Sequence, residues 1–309
     1  MNDIKKVLVL LFVIFSNAFF ADEGIEKKFT VAFAQDTLSS EWRLAQVTQM
    51  KTAFNKYPNV EFVYTDGEGE TSKQIYDIKQ LLRSNIDLLI TSPRNSKMMT
   101  PIISEVYSKI PVVLITRKTT NEQYTAMVAP DDYQIATIAA HTMAKALKSK
   151  GKVLMLRGLP TTTTAINREK GFLDTIKKYY PNISISSIRN GNYLRVDAVL
   201  EINKAIKEGE KFDGIYSHSD SMAVGARMAL KKSNINVNSK IIIGIDYISE
   251  AKNAIISGEQ YASFLYPTCA EETVEVVMKI LTNKSYEKQN VIESVRITKY
   301  NVNKIEPIF

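Results

Sequence analysis

Polar and aromatic side chains follow the apolar, strand-like segments of this sequence at the points where each segment ends. In an open parallel sheet, ligands bind outside the carboxyl ends of the strands. Arginine offers paired donors, carboxylates and amides accept from neighbouring hydroxyls, and aromatic rings cover C–H surfaces, which together suit a polyhydroxylated ligand. The strand-end residues are Gln35, Asp36, Ser39, Trp42, Arg43, Asp66, Ser92, Arg94, Arg117, Arg157, Asn190, Arg195, His218, Ser219, Asp220, Asp246, Tyr247 and Tyr266.

Each of these residues also has a purely structural explanation. Charged residues at strand ends often cap the following helix, and we assign Asp131 and Asp220 mainly to that role. Trp42 is also compatible with a ring packed in the core, and His218 with a loop histidine that contacts no ligand. The agreement among many strand ends carries the prediction, rather than any single residue.

The common catalytic and cofactor motifs are missing from the sequence. It contains no GxGxxG, P-loop, HExxH, CxxC or GxSxG pattern. Its two histidines cannot supply a multi-histidine metal site, and its one cysteine, Cys269, excludes an intramolecular disulfide. We therefore expect no metal, no cofactor and no enzymatic activity. The net charge of +7 comes from scattered lysines without a basic block, so nucleic acid is not an expected partner.

Short β-rich runs alternate with amphipathic segments from residue 29 onward. The runs are 29–34, 60–64, 88–91, 112–115, 152–156, 183–188, 214–217, 241–245 and 262–266. The segments with helical spacing are 40–55, 71–84, 97–109, 131–149, 165–179, 196–208, 221–232 and 268–281. This alternation predicts parallel sheets covered by helices on both faces. There are too many units for one sheet, so we predict two α/β lobes.

The first residues have the pattern of a signal peptide. Lys5 and Lys6 precede an apolar run at 7–15, which is too short to span a bilayer. Small residues follow, and cleavage is predicted after Ala18 or Ala21. We therefore expect residues 1–21 to be removed and the mature chain to be periplasmic.

Several strand-end motifs resemble those of the periplasmic sugar-binding proteins of ABC transporters, of the ribose- and galactofuranose-binding type. The resemblance runs from about residue 29 to 295, and its motifs are FAQ at 33–35, EWR at 41–43, DG at 66–67, PVVLITR at 111–117, AINREKGF at 165–172, YSHSDSMAVGA at 216–226 and GID at 244–246. Each motif is weak alone, but their common order is specific. The resemblance implies that Arg168 binds sugar. The predicted ligand-binding residues, including this arginine, are Gln35, Ser39, Trp42, Arg43, Asp66, Arg117, Arg168, His218, Ser219 and Asp246.

Two positions depart from the pattern of that family. Thr116 stands where the family has a sugar-binding aspartate, and Ser219 where it usually has asparagine. Both changes shorten a polar side chain, and Thr116 also removes a negative charge. Since the three arginines are retained, an acidic or otherwise modified sugar is a hypothesis for the ligand.

The resemblance implies the type I periplasmic binding protein fold, with two doubly wound parallel-sheet lobes joined by a hinge of three crossings. The lobes would comprise 27–129 with 267–293, and 130–266 with 294–309. The hinge would close over a small-molecule ligand, and a membrane permease of an ABC importer would recognise the closed form. The alternative is a sensor subunit that presents its ligand to a histidine kinase or chemoreceptor. A transcription repressor with the same core is disfavoured, because we find an export signal and no helix-turn-helix.

Overall fold

The computed structural model describes residues 28–309, and the predicted signal peptide lies outside them. Strands and helices alternate along this part of the chain. The strands are β1 Phe29–Gln35, β2 Val60–Asp66, β3 Leu88–Thr91, β4 Val112–Ile115, β5 Ala126–Ala129, β6 Gly151–Arg157, β7 Ile183–Asn190, β8 Gly214–Ser217, β9 Ile241–Ile243, β10 Ala262–Phe264, β11 Gln289–Val291 and β12 Arg296–Thr298. The helices are α1 Glu41–Phe54, α2 Thr71–Arg83, α3 Ser96–Tyr107, α4 Asp132–Ala146, α5 Thr163–Tyr179, α6 Arg195–Lys207, α7 Asp220–Lys232, α8 Ser249–Ser257 and α9 Ala270–Leu281.

The strands form two six-stranded sheets, one in each lobe. The first sheet has the order β11-β5-β4-β3-β1-β2, and the second has the order β12-β10-β9-β8-β6-β7. Neighbouring strands are parallel except for β10 and β12, which run antiparallel. The predicted fold class, two doubly wound parallel-sheet lobes, is confirmed.

The central strands are buried on both faces because helices cover each sheet from two sides. In β1, Val31 and Phe33 pack into one apolar cluster with α1 and α9, while Ala32 and Ala34 pack into another with α2 and α3. Every residue of β3 and β4 is buried. Such near-continuous apolar runs are typical of parallel sheets, and they leave the polar chemistry to the loops beyond the strand ends.

The chain passes between the two sheets three times. It leaves the first sheet after β5 at Ala129, and α4 then packs on α5 of the second lobe. It leaves the second sheet after β10, and α9 packs on α1 of the first lobe. Finally, β11 ends in the first sheet at Val291, and β12 begins in the second at Arg296.

The two aspartates assigned to helix capping behave differently. Asp131 caps α4, since its carboxylate accepts from the N–H of Gln134 at 3.0 Å, as predicted. The prediction for Asp220 is wrong, because Ser219 caps α7 and Asp220 is the first helical residue. The Asp220 carboxylate instead accepts from the N–H of Tyr247 at 2.7 Å and so ties α7 to the loop after β9.

Candidate functional site

A cavity of about 380 Å³ lies between the two lobes, beyond the carboxyl ends of their strands. Small-molecule sites commonly have volumes of about 300–1,000 Å³. The wall combines arginines, carboxylates, hydroxyls and aromatic rings from both lobes. The predicted residues that line it are Ser39, Trp42, Arg43, Arg117, Arg168, Ser219 and Asp246.

Two predicted residues of the first lobe lie behind the cavity wall rather than in it. The Gln35 amide donates to the side-chain oxygen of Gln46 at 2.9 Å and is fully buried. The Asp66 carboxylate accepts from the N–H of Leu38 at 3.1 Å, which fixes the loop that follows β1. Both side chains hold the loop after β1 in this structure, and direct contact of Gln35 and Asp66 with a ligand stays a prediction.

His218 is the third predicted residue that the cavity wall does not include. Its Nδ1 accepts from the N–H of Gly158 at 3.3 Å, and its carbonyl accepts from the Arg168 guanidinium. Burial, followed by the nearby positive charge of Arg168, lowers the pKa of His218 well below its usual value. The ring is therefore neutral at pH 7, and its Nε2 makes no hydrogen bond within the described residues. The His218 carbonyl positions Arg168, and contact of the ring with a ligand stays a prediction.

A buried carboxylate lies among the arginines of the first lobe. Asp36, only 1% exposed, accepts from Arg117 Nη1 at 2.7 Å and forms ion pairs with Arg43 Nε at 3.2 Å and with Arg94 Nη1 at 3.8 Å. Burial raises the pKa of Asp36, but the charges of Arg117 and Arg43 outweigh it, so the pKa is lowered. Asp36 is therefore ionised and offsets part of the positive charge in this wall.

The Arg43 guanidinium is held from its other side by neutral side chains. Its Nη1 donates to Gln46 at 3.0 Å, to Ser92 at 3.2 Å and to the Thr116 hydroxyl at 3.4 Å. Burial and the positive charge of Arg117 lower the pKa of Arg43 to about 10. The residue remains charged at neutral pH, and its orientation is fixed before any ligand binds.

The loop after β4 holds Thr116 in a strained conformation. Its φ is +60°, in the left-handed region that β-branched residues rarely adopt. The N–H of Arg117 donates to the carbonyl of Ile115 at 2.8 Å, which closes a tight turn around Thr116. The turn brings the Thr116 hydroxyl and the Arg117 guanidinium into the same cavity wall, and the buried Nε of Arg117 makes no hydrogen bond within the described residues.

The second lobe contributes an arginine that has its own buried carboxylate. Arg168 Nε donates to Asp132 at 2.8 Å, and its guanidinium lies over the Tyr266 ring, 4.4 Å from the ring centre. Burial lowers the pKa of Arg168, but the charge of Asp132 outweighs burial and raises it. Asp246 lies in the same wall, and burial raises the pKa of its carboxyl well above the usual value. This lobe thus offers one fixed cation and one carboxyl group.

Aromatic rings from both lobes complete the wall. The Trp42 indole donates to the Tyr266 carbonyl at 3.4 Å, and the two ring centres are 6.0 Å apart. Tyr193, after β7, lies against the Arg117 guanidinium at 5.8 Å across the cleft. These rings provide apolar surface in a wall that is otherwise polar.

Sequence reasoning missed some residues of the wall. Asp36, Arg94 and Tyr266 follow strands and belonged to the wider strand-end set, but they were left out of the predicted ligand-binding residues. Thr116 was noted only as a departure from the family pattern. No sequence signal singled out Tyr193, which lies in a left-handed turn with φ +66°.

The sequence also matches a known family over most of its length. The family model for the periplasmic binding protein domain matches residues 31–285. The chain belongs to the periplasmic binding protein family. A galactofuranose-binding protein of Escherichia coli K12 is 26% identical over 285 residues, which cover 89% of this chain and 88% of that protein. A xylitol-binding protein of Mycolicibacterium smegmatis is 28% identical over 235 residues, which cover 74% of this chain and 65% of that protein.

A solved structure supports the same assignment. The fructose-binding periplasmic domain of a hybrid two-component system superposes with a TM-score of 0.85 and 29% sequence identity. The match covers 89% of this chain and 92% of that domain. The fold of this chain is therefore that of a type I periplasmic binding protein, and the similarity extends over both lobes.

The lobes of this periplasmic binding protein contact each other across the cleft through consecutive threonines at the start of α5. Thr161 donates its hydroxyl to the carbonyl of Arg94 at 2.8 Å, and Thr164 donates to the carbonyl of Thr116 at 2.9 Å. The N–H of Lys118 donates to the Thr163 hydroxyl at 2.9 Å. The cavity is therefore enclosed by direct hydrogen bonds between the lobes along one edge.

No helix within residues 28–309 is long and apolar enough to cross a membrane. The same range contains no group of three or more His, Cys, Asp or Glu residues that could hold a metal ion. Cys269 is buried, and burial raises the pKa of its thiol well above the usual value, so the thiol stays protonated.

Proposed function

We propose that this binding protein captures a sugar between its two lobes and delivers it to the permease of an ABC importer. The observation that carries the proposal is the enclosed cavity, whose arginines, carboxyl groups and rings come from both lobes. Such a wall satisfies hydroxyls with charged donors and acceptors while rings cover the apolar face of the ligand. Three similar proteins are named as binders of galactofuranose, xylitol and fructose, which supports the same class of ligand for this chain.

Capture would occur by closure about the three crossings between the sheets. A ligand that touches Arg43 and Arg117 on one side and Arg168 and Asp246 on the other has its full set of contacts only when the lobes are together. Its binding therefore shifts the population towards the closed form. The permease would then recognise the closed shape.

The proposal is tested by a thermal-shift screen of the mature protein after denaturation and refolding, which removes any co-purified ligand. The panel contains neutral pentoses, hexoses, polyols and sugar acids. A ligand present at 100 times its Kd raises the free energy of unfolding by about 2.7 kcal/mol, which shifts Tm by several degrees. We expect Arg43→Met to reduce this shift, and Leu44→Ala, on an exposed side chain of the same helix, to leave it unchanged. If no compound in the panel raises Tm, the proposal is contradicted.

A sensor subunit is the second candidate, because the fructose-binding structural neighbour belongs to a two-component system. Both functions use the same closure, so the assay must follow the downstream partner. Deletion of the gene abolishes uptake of the radiolabelled ligand if the protein serves an importer. If it serves a sensor, uptake persists and the transcriptional response to the ligand is lost.

We also propose that the chain is exported and cleaved after Ala18 or Ala21. The family is one of periplasmic proteins, which supports an exported location. Intact-mass analysis of the protein recovered from a periplasmic extract distinguishes the two cleavage sites. A full-length mass in the cytoplasmic fraction would contradict the proposal.

A further inference from the structure

Two hydrogen bonds between the lobes flank Arg117 in the chain. On one side, the carbonyl of Thr116 accepts from the Thr164 hydroxyl at 2.9 Å. On the other side, the N–H of Lys118 donates to the Thr163 hydroxyl at 2.9 Å. The two backbone groups belong to the first lobe, whereas the two threonines begin helix α5 of the second. The backbone that carries Arg117 is therefore held at both ends by the opposite lobe.

The segment held in this way is the strained turn after β4. Thr116 has a φ of +60°, and such a conformation persists only where surrounding contacts impose it. Within the first lobe, the N–H of Thr116 donates to the carbonyl of Val128, and the N–H of Arg117 closes the turn on Ile115. The carbonyl of Thr116 and the N–H of Lys118 bind the second lobe instead. These two groups have their protein partners only when the lobes are together.

Helix α5 also carries the arginine of the opposite cavity wall. Thr164 and Arg168 are four residues apart and so lie on the same face of α5. Both line the cavity, and the Thr164 hydroxyl also interacts with the carboxylate of Asp132, which binds Arg168. Formation of the threonine bonds therefore fixes the turn of Arg117 at one distance from Arg168. The spacing between the arginines of the two walls is then set by contacts of the chain itself.

We propose that Thr163 and Thr164 are positioning residues that hold the Arg117 turn against α5 on closure and thereby slow the release of the ligand. The inference rests on the proposed function. In the open form, water binds the carbonyl of Thr116 and the N–H of Lys118, so the two threonine bonds add nothing to the first encounter with ligand. In the closed form, both bonds must break before the lobes separate. Loss of either bond should therefore accelerate release and leave capture unchanged.

The rates are measured by stopped-flow fluorescence of Trp42, the one tryptophan of the chain, which lies in the cavity wall. The probes are ribose, galactose, fructose and xylitol, and the tightest binder among them is used for every variant. Thr163→Val keeps the shape of the side chain and removes the hydroxyl that binds Lys118. We expect its release rate to rise about fivefold, as for the loss of one hydrogen bond, and its association rate to stay within about twofold.

Two further variants separate positioning from a general structural effect. Thr163→Ser keeps the hydroxyl, so its release rate should equal that of the unaltered protein. The matched control is Thr175→Val, which removes a buried hydroxyl of the same helix that donates to the carbonyl of Gly171 inside the second lobe. It should leave both rates within about twofold. The urea midpoint of ligand-free Thr163→Val should also be unchanged, because the lost bond forms only on closure.

The positioning of Arg117 is measured separately by NMR. Its buried Nε makes no hydrogen bond within the described residues, and the Nε–H resonance is assigned by its absence in Arg117→Lys. With probe bound, we expect one sharp resonance in the unaltered protein and a broadened resonance in Thr163→Val, because the turn is then held from one side only. Bound probe should also slow hydrogen exchange of the Lys118 N–H in the unaltered protein but not in that variant.

Four results would each overturn the inference: an unchanged release rate in Thr163→Val, equal acceleration by Thr175→Val, a serine variant that releases as fast as the valine variant, or a sharp Arg117 resonance in Thr163→Val. If Thr163→Val does not fold, hydrogen exchange in the unaltered protein decides, and a Lys118 N–H that exchanges equally with and without probe contradicts the inference. If the unaltered protein binds none of the four probes, the proposed function is refuted, and this inference with it.

Discussion

Removal of Arg168 should affect stability and ligand binding by separate routes. Arg168 is 2% exposed and donates to the buried carboxylate of Asp132 at 2.8 Å. Arg168→Met keeps much of the side-chain volume but leaves Asp132 without its cation. Breaking one half of a buried ion pair costs about 3–5 kcal/mol, so we expect a loss of that size in the free energy of unfolding.

The double variant Arg168→Met/Asp132→Asn separates the two effects. It removes both charges, and a neutral buried pair avoids the cost of desolvating an unpaired carboxylate. We therefore expect at least half of the lost stability to return. Ligand affinity should not return, because the guanidinium that lines the cavity is still missing. Urea denaturation of the ligand-free protein gives the stability, and calorimetry with the ligand from the screen gives the affinity.

Arg227→Met is the matched control. Arg227 is 5% exposed in the same lobe, lies outside the cavity wall and donates to the side chain of Gln260. Its replacement should lower stability and leave the affinity within about twofold. The reasoning is refuted if Arg168→Met costs less than about 1 kcal/mol, or if the double variant binds ligand as tightly as the unaltered protein.

Three further predictions concern single residues. A Cβ at position 158 would lie 2.0 Å from the Tyr193 ring, so Gly158→Ala should displace the ring and weaken ligand binding at least about tenfold by calorimetry. The free energy of unfolding of Gly158→Ala should change by less than about 1 kcal/mol. If this variant binds ligand with unchanged affinity, the Tyr193 ring does not contribute to ligand binding. Thr116→Asn should raise the free energy of unfolding by about 1 kcal/mol, because asparagine tolerates a φ of +60° better than threonine. An unchanged urea midpoint would count against backbone strain. Burial raises the pKa of Asp220 to about 6, above its value in the unfolded chain, so its contribution to stability is complete below about pH 4 and is lost as the pH rises through 6. The stability of Asp220→Asn relative to the unaltered protein should accordingly increase between pH 4 and 7 by about 2 kcal/mol, and a constant difference would refute the assignment.

The two-lobe fold followed from the sequence because its core strands carry a strong local signal. Strands such as β3 and β4 are fully buried apolar runs between amphipathic helices. Their amino-acid composition indicates strands, and the spacing of apolar residues in the flanking segments indicates helices. Helix α8 and strands β5, β11 and β12 were not predicted. β11, Gln289–Val291, is short and polar and lies at the edge of its sheet, so only its pairing with β5 defines it as a strand. Such pairing is a tertiary property that no local pattern encodes.

The site was predictable in outline because parallel strands bring their carboxyl ends to one edge. What the sequence did not decide was which polar side chain at a strand end faces the cavity and which supports a loop. Gln35 and Asp36 are neighbours after the same strand, yet Gln35 binds Gln46 behind the wall and Asp36 lies among the arginines of the wall. A single residue of register separates these two roles, and register at a strand end depends on the tertiary hydrogen bonds of the loop.

Each lobe pairs an arginine of the cavity wall with a carboxylate from the same lobe. Asp36 pairs with Arg117 in the first lobe, and Asp132 pairs with Arg168 in the second. Closure brings one exposed pair of opposite charges together, Arg195 and Glu41 at 3.2 Å, and the lobe contacts along α5 are hydrogen bonds of neutral threonines. Because an exposed ion pair and such hydrogen bonds each contribute only about 1 kcal/mol, they are too weak to compel closure in the absence of ligand. The ligand must supply the remaining free energy of closure by binding the fixed donors and acceptors of both lobes. The closed form should therefore be populated mainly when ligand is bound.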